Sequence, residues 1–174
     1  FRDKVNAASS IDETKICAEL AADIELDATE NWTPIGKELS AGVGQFPYTG
    51  TFDGKGHTIK NLNVNSETFA GLFGYVHGGT IRNLTVSGSV KGQQHAGGIA
   101  GGADGGTFES CANLCDVQGG IAGGIIGLAT SQDNNLIVRD CYNAGKITSA
   151  TRNSVGGIIG SCLGTAPSTI SNCY

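Results

Sequence analysis

The chain is short of positive charge: 11 Lys and Arg stand against 16 Asp and Glu in 174 residues, a formal net charge of −5. Binding to nucleic acid draws on clustered cations that neutralise phosphates, so a nucleic-acid partner is not expected. The anionic face of a membrane is disfavoured for the same reason. No apolar run approaches the ~20 residues of a membrane-spanning helix. The HExxH, GxSxG and phosphate-loop motifs are missing as well. His57, His77 and His95 are 20 and 18 residues apart, without the local spacing of a zinc site. Neither a metal nor a cofactor is expected.

Glycine is abundant, at 28 of 174 residues against a usual share of ~7 percent. With 39 percent hydrophobic residues the chain is not of disordered composition, so the glycines serve an ordered, turn-rich backbone. Two phrases alternate. The first is Ile59-Lys60-Asn61-Leu62, Ile81-Arg82-Asn83-Leu84, Phe108-Glu109-Ser110-Cys111, Val138-Arg139-Asp140-Cys141 and Ile170-Ser171-Asn172-Cys173. The second is Ala70-Gly71-Leu72-Phe73-Gly74, Gly97-Gly98-Ile99-Ala100-Gly101, Gly123-Gly124-Ile125-Ile126-Gly127 and Gly156-Gly157-Ile158-Ile159-Gly160. A recurrence of this length means one supersecondary unit stacked on itself.

Within the first phrase, one apolar residue points inward and the next outward, in strand alternation. The third position then breaks the alternation. It holds Asn61, Asn83, Ser110, Asp140 and Asn172, turn formers that tolerate left-handed backbone, so the coil turns a corner there. The fourth position holds Leu62, Leu84, Cys111, Cys141 and Cys173. Where Leu and Cys substitute for each other, the thiol reads as a small buried hydrophobe. Parallel side chains on neighbouring coils make a disulfide torsion awkward. Cys17, Cys115 and Cys162 fall at unrelated positions and have no assigned partner. The expected fold is an all-β, right-handed parallel β-helix of about five coils, with three short strands per coil. Residues 1–14 read as an N-terminal helical or capping segment and 15–174 as the solenoid. Its C-terminal end is expected to be truncated from a longer protein.

The glycine phrase, with Gly71-Leu72-Phe73-Gly74 closest to type, resembles the GLUG motif. The stretch before it, including Asn31-Trp32-Thr33-Pro34-Ile35-Gly36 and Tyr48-Thr49-Gly50-Thr51-Phe52-Asp53-Gly54-Lys55-Gly56-His57-Thr58-Ile59, is similar to the segment that introduces such repeats. That family occurs in bacterial cell-surface and secreted proteins and in non-catalytic N-terminal regions of immunoglobulin-A metallopeptidases. The resemblance implies architecture and an extracellular or cell-surface location. It carries no catalytic residues.

Carbohydrate-active β-helices need carboxylates converging on one face. The outward position of the first phrase holds Lys60, Arg82, Glu109, Arg139 and Ser171, with a single carboxylate, and reads as a solvated face. Asp53-Gly54-Lys55-Gly56-His57 reads as a tight turn between strands. The connections that follow the glycine phrase, residues 75–79, 102–106, 128–135 and 161–168, lengthen along the chain. Unequal insertions on one edge of a solenoid often form its binding face. That edge displays His77, Asp104, Gln132, Asp133, Asn134 and Asn135. The expected function is a non-catalytic stalk or adhesin that meets a host or matrix glycoprotein or glycan. A carbohydrate-active enzyme, an accessory domain of a secreted peptidase, and a filament subunit associating end to end are the alternatives.

Overall fold

A computed structural model describes residues 1–38, 45–132, 134–149 and 154–174. The described chain is a parallel β-solenoid of about four turns. The expected β-helix is present, and each coil carries four strand positions rather than three. Thr80–Arg82, Thr85–Gly92, His95–Gly97 and Ala100–Asp104 form one such coil, and Gly106–Glu109 begins the next. Each strand pairs in parallel with its equivalents on the coils before and after, which gives four sheets. The fourth position was read as loop in the sequence. Residues 75–77, 102–104 and 128–131 are strand because Tyr75 pairs with Gly102 and Gly102 with Leu128, while His77 pairs with Asp104 and Asp104 with Thr130. Glycine has poor strand propensity, so pairing with the neighbouring coils decides the conformation.

The first sheet stacks Ala18, Phe52, Ile81, Phe108, Val138 and Ile170 in register. Asn83, Ser110, Asp140 and Asn172 follow in left-handed backbone, with φ between 52 and 54°. They turn the chain into the second sheet and bring Leu84, Cys111, Cys141 and Cys173 inward. The phrase at residues 59–62 departs from this alignment. Ile59 pairs with Val86 and Ile24 on the second sheet, and the register slips between Ile59 and Leu62. Asn61 is therefore left-handed at a bulge within the strand Thr58–Ser66, with φ 60°, and not at the corner. Leu62 is buried but pairs with Gly88, outside the Leu84 column. The first-sheet residues at that level are Phe52 and Asp53.

The glycine phrase makes the corner between the third and fourth sheets. Its central residues Leu72, Ile99 and Ile125 are 0% exposed. A side-chain carbon on Gly71 would lie 2.8 Å from the Gly101 nitrogen, and one on Gly127 would lie 2.6 Å from the Gly101 carbonyl oxygen. Here glycine is needed because backbone packs on backbone, with no room for a Cβ. Phe73, Phe108, Ile81, Ile126 and Val138, all fully buried, complete the core of the middle coils. At the N-terminal end the helix Arg2–Asn6 lies over the first coil, with Val5 1% exposed and the Phe1 ring 5.5 Å from Phe52. Trp32 packs beside it. Its indole N–H donates to the Leu72 carbonyl at 3.1 Å, and Arg2 lies 4.7 Å from the ring centre.

Candidate functional site

The outward residues of the fourth sheet build the expected edge. His77 ends the strand Phe73–His77, and Asp104 is its in-register neighbour on the next coil. Parallel pairing holds adjacent strands ~4.8 Å apart, so an imidazole and a carboxylate at paired outward positions meet. The His77 Nδ1 is 3.2 Å from the Asp104 Oδ2. The Asp104 Oδ1 accepts the Gln132 N–H at 3.2 Å, and the Asp104 carbonyl accepts the Gly78 N–H at 3.0 Å. Asn134 reaches across from a further coil, placing its Nδ2 3.3 Å from the His77 Nε2.

Gly105 makes this reach feasible. Its φ is +60°, and a side-chain carbon there would collide with the backbone of Asn134. A Cβ at that point would push Asn134 off the edge. The Gly105 N–H donates to the Thr130 carbonyl at 2.7 Å, and the Gly106 N–H to the Asn135 carbonyl at 2.9 Å. The structure thus brings His77, Asp104, Asn134 and the backbone of Gln132 into one cluster, with Asn135 joined through its carbonyl. Asp133 lies outside the described residues.

The Asn134 amide nitrogen faces Nε2 and the Asp104 carboxylate faces Nδ1, so each ring nitrogen of His77 has a polar partner. The Asp104 carboxylate is 14% exposed, against 33% for the imidazole. The nearby hydroxyls of Tyr75 and Thr130 bond to each other at 3.2 Å, and Thr130 also donates to the Ala103 carbonyl at 3.3 Å. The edge therefore presents an imidazole, an amide, a carboxylate and two hydroxyls across three coils. Such a set can exchange hydrogen bonds with a polar ligand. A separate cleft of about 590 Å³, lined by Trp32, Lys37, Asn65 and Phe69, shares none of these residues.

No family model matches the chain, and no solved structure matches it. It is similar to halomucin of Haloquadratum walsbyi, at 31% identity over 47% of this chain and 1% of that protein. The chain thus spans about 1% of the length of the curated relative it matches. Among the described residues, no helix is long and apolar enough to cross a membrane.

Two polar arrangements were missed in the sequence. The Asp53 side chain, 9% exposed, accepts the Arg82 Nε–H at 3.0 Å, the Asn83 amide at 3.0 Å and the Lys55 N–H at 2.9 Å. The Asn83 amide is the largest influence holding its carboxyl below the usual carboxylate range, helped by Lys55 and Arg82 and opposed by burial. The 53–57 turn is thus a clamp between coils, with Lys55 at φ 52° and Gly56 at φ 81°. Secondly, the fully buried Asn113 accepts the Cys115 N–H at 3.0 Å and donates to the Cys115 carbonyl at 3.0 Å. Asn143 does the same for Gly145, and the Asn113 amide donates to the Asn143 Oδ1 at 2.7 Å. The shared offset in Cys111-Ala112-Asn113 and Cys141-Tyr142-Asn143 was the signal for this ladder. In the outward column, Arg139 pairs with Glu109 at 2.9 Å, and Lys60 pairs with Asp23 at 3.1 Å on the second sheet.

Proposed function

We propose that this chain is a non-catalytic β-solenoid module of a bacterial cell-surface or secreted protein, a stalk or adhesin whose loop edge meets a host or matrix glycoprotein or glycan. The observation that carries the reading is the convergence of Gln132 and Asn134 on His77 and Asp104, which fixes an otherwise long connection as a polar edge on a stacked scaffold. The resemblance to GLUG repeats supports an extracellular place. So does the partial likeness to halomucin, a mucin by its name.

The test is binding of the intact protein to mucin, matrix-glycoprotein and glycan panels, beside Asp104→Ala and Asn134→Ala. Retained binding by the parent protein and loss in both variants is the expected result. Failure to bind any panel would remove the adhesive part and leave a stalk. The His77–Asp104 pair also makes a carbohydrate-active enzyme the second reading, since it offers an acid and a base side by side. Turnover of an acidic polysaccharide, abolished by Asp104→Ala, would establish that reading over ours.

A further inference from the structure

Cys111, Cys141 and Cys173 occupy equivalent places on three successive coils. Glu109 pairs with Arg139 before the first two, and Ala112 with Tyr142 after them. Arg139 pairs with Ser171 before the third, and the Tyr174 N–H donates to the Cys141 carbonyl at 3.2 Å. Each cysteine follows a left-handed corner residue, so the three side chains leave the backbone alike. Their sulfurs have matching surroundings. Each faces the carbonyl two residues earlier on its own coil, at 3.4, 3.2 and 3.1 Å, for Glu109, Arg139 and Ser171. Each also faces a carbonyl of the preceding coil, Ile81, Phe108 or Val138, at 3.5, 3.5 and 3.7 Å. Matching settings on successive coils place the sulfurs in a row at the rung spacing, ~4.8 Å. All three thiols are free; two are buried and Cys173 is half-buried.

That spacing is more than twice a disulfide bond of ~2.05 Å, and close to twice a metal–thiolate bond of ~2.3 Å. A disulfide would have to draw the sulfurs together against the ladder. An ion in line between them would not. Among the described residues no group of three or more His, Cys, Asp or Glu converges as a metal site, so a tetrahedral zinc shell has nothing to complete it. Two soft sulfurs in line suit a d10 monovalent ion instead. We propose that the Cys111–Cys141–Cys173 column is a binding site for a soft monovalent cation, Cu(I) or Ag(I), held in line between sulfurs of successive coils.

Binding involves no change of oxidation state. The first bridge loses two S–H bonds and forms two sulfur–metal bonds, with two protons going to solvent and one negative charge left on the bridge; a second ion shares the Cys141 sulfur and releases one further proton, so the filled column still carries one negative charge. Cys141 is the middle residue of the row, with a cysteine-bearing coil on either side. Cys115 lies off the column, and burial raises its thiol to about 12, so it stays protonated. Leu84 fills the equivalent position on the preceding coil and closes the row at that side.

The test uses the full chain with Cys17→Ser and Cys162→Ser, which removes the two exposed thiols, reduced and titrated anaerobically with Ag(I) and with Cu(I). Retention of metal through gel filtration, with sulfur-to-metal charge-transfer absorption, is the expected result. Uptake should be lost on adding Cys141→Ala and unchanged on adding Cys115→Ala. Because Ala leaves a cavity, Cys111→Leu serves as the second variant, using the residue the column already accepts at Leu84; it too should lose the Cys111–Cys141 bridge. No uptake by the parent double variant, or uptake that survives Cys141→Ala, would overturn the proposal.

Discussion

Residues 59–62 and 81–84 carry nearly the same four-residue phrase, and the fold uses them differently. At 81–84, Asn83 stands at a corner between sheets and donates to the Asp53 carboxylate at 3.0 Å, which locks two coils together. At 59–62, Asn61 stands at a bulge inside one long strand, and its amide reaches Glu25 and the Leu26 carbonyl only at 3.3 Å. Both residues are left-handed, at φ 52° and 60°. The residue type therefore answers a local backbone demand, and the demand arises wherever the chain must absorb one extra residue or change direction. What distinguishes the two places is the partner across the ladder: Gly88 opposite Leu62 in one, and the corner residue Ser110 after the paired Glu109 in the other.

The sharpest way to break this difference is Gly88→Ala. Gly88 has φ +141°, and a side-chain carbon there would overlap the backbone of Leu62. A loss of upwards of about 3 kcal/mol in urea denaturation is expected, and a loss under about 1 kcal/mol would mean that the bulge tolerates another geometry. Next comes Asp53→Asn, which removes the charged acceptor of the corner clamp and should cost about 1–3 kcal/mol at neutral pH. Because the folded-state carboxyl sits below its unfolded value of ~3.9, its contribution is complete above that pH and fades as pH falls through the folded value. The parent protein and Asp53→Asn should converge in stability as the pH is taken below the unfolded value and the carboxylate is neutralised.

Cys111→Leu carries the Leu84 side chain one coil onward, adds volume at a buried position and is expected to cost about 1–3 kcal/mol; unfolding would show that the thiol position is tighter than that of Leu84. The smallest effects separate the two asparagines directly. Glycine accepts left-handed backbone, so Asn83→Gly should lose only the Asp53 bond, about 1 kcal/mol. Asn61→Gly should fall within about 0.5 kcal/mol of the parent. Equal losses for the pair would erase the distinction between corner and bulge.

The solenoid was legible because its signals are local and repeated. A turn former every coil, an aliphatic residue between glycines and a Leu/Cys column each state one backbone or packing requirement. The early register was not legible, since Phe52-Asp53 shares no turn residue with Ile81-Arg82-Asn83 and pairs with it only across the stack. The fourth strand was missed for a related reason: Gly102 looks like loop until Tyr75 and Leu128 are placed beside it. At the candidate edge, residue types indicated which side chains were polar and unequal between coils. That His77 and Asn134, 57 residues apart, would meet depended on Gly105, whose role appears only when the coils are stacked.

The ladders also set how the molecule would answer to force. Its strands lie across the long axis, so the hydrogen bonds between coils point along it. A pull from end to end would load those rungs in series, and the chain would unwind one coil at a time at modest tension. A pull along the strands would load every rung of a sheet at once, in shear. The Asn113–Asn143 amide bond adds one more link to the axial path, inside the core where water cannot compete for it, and would make that rung the last of its neighbours to open.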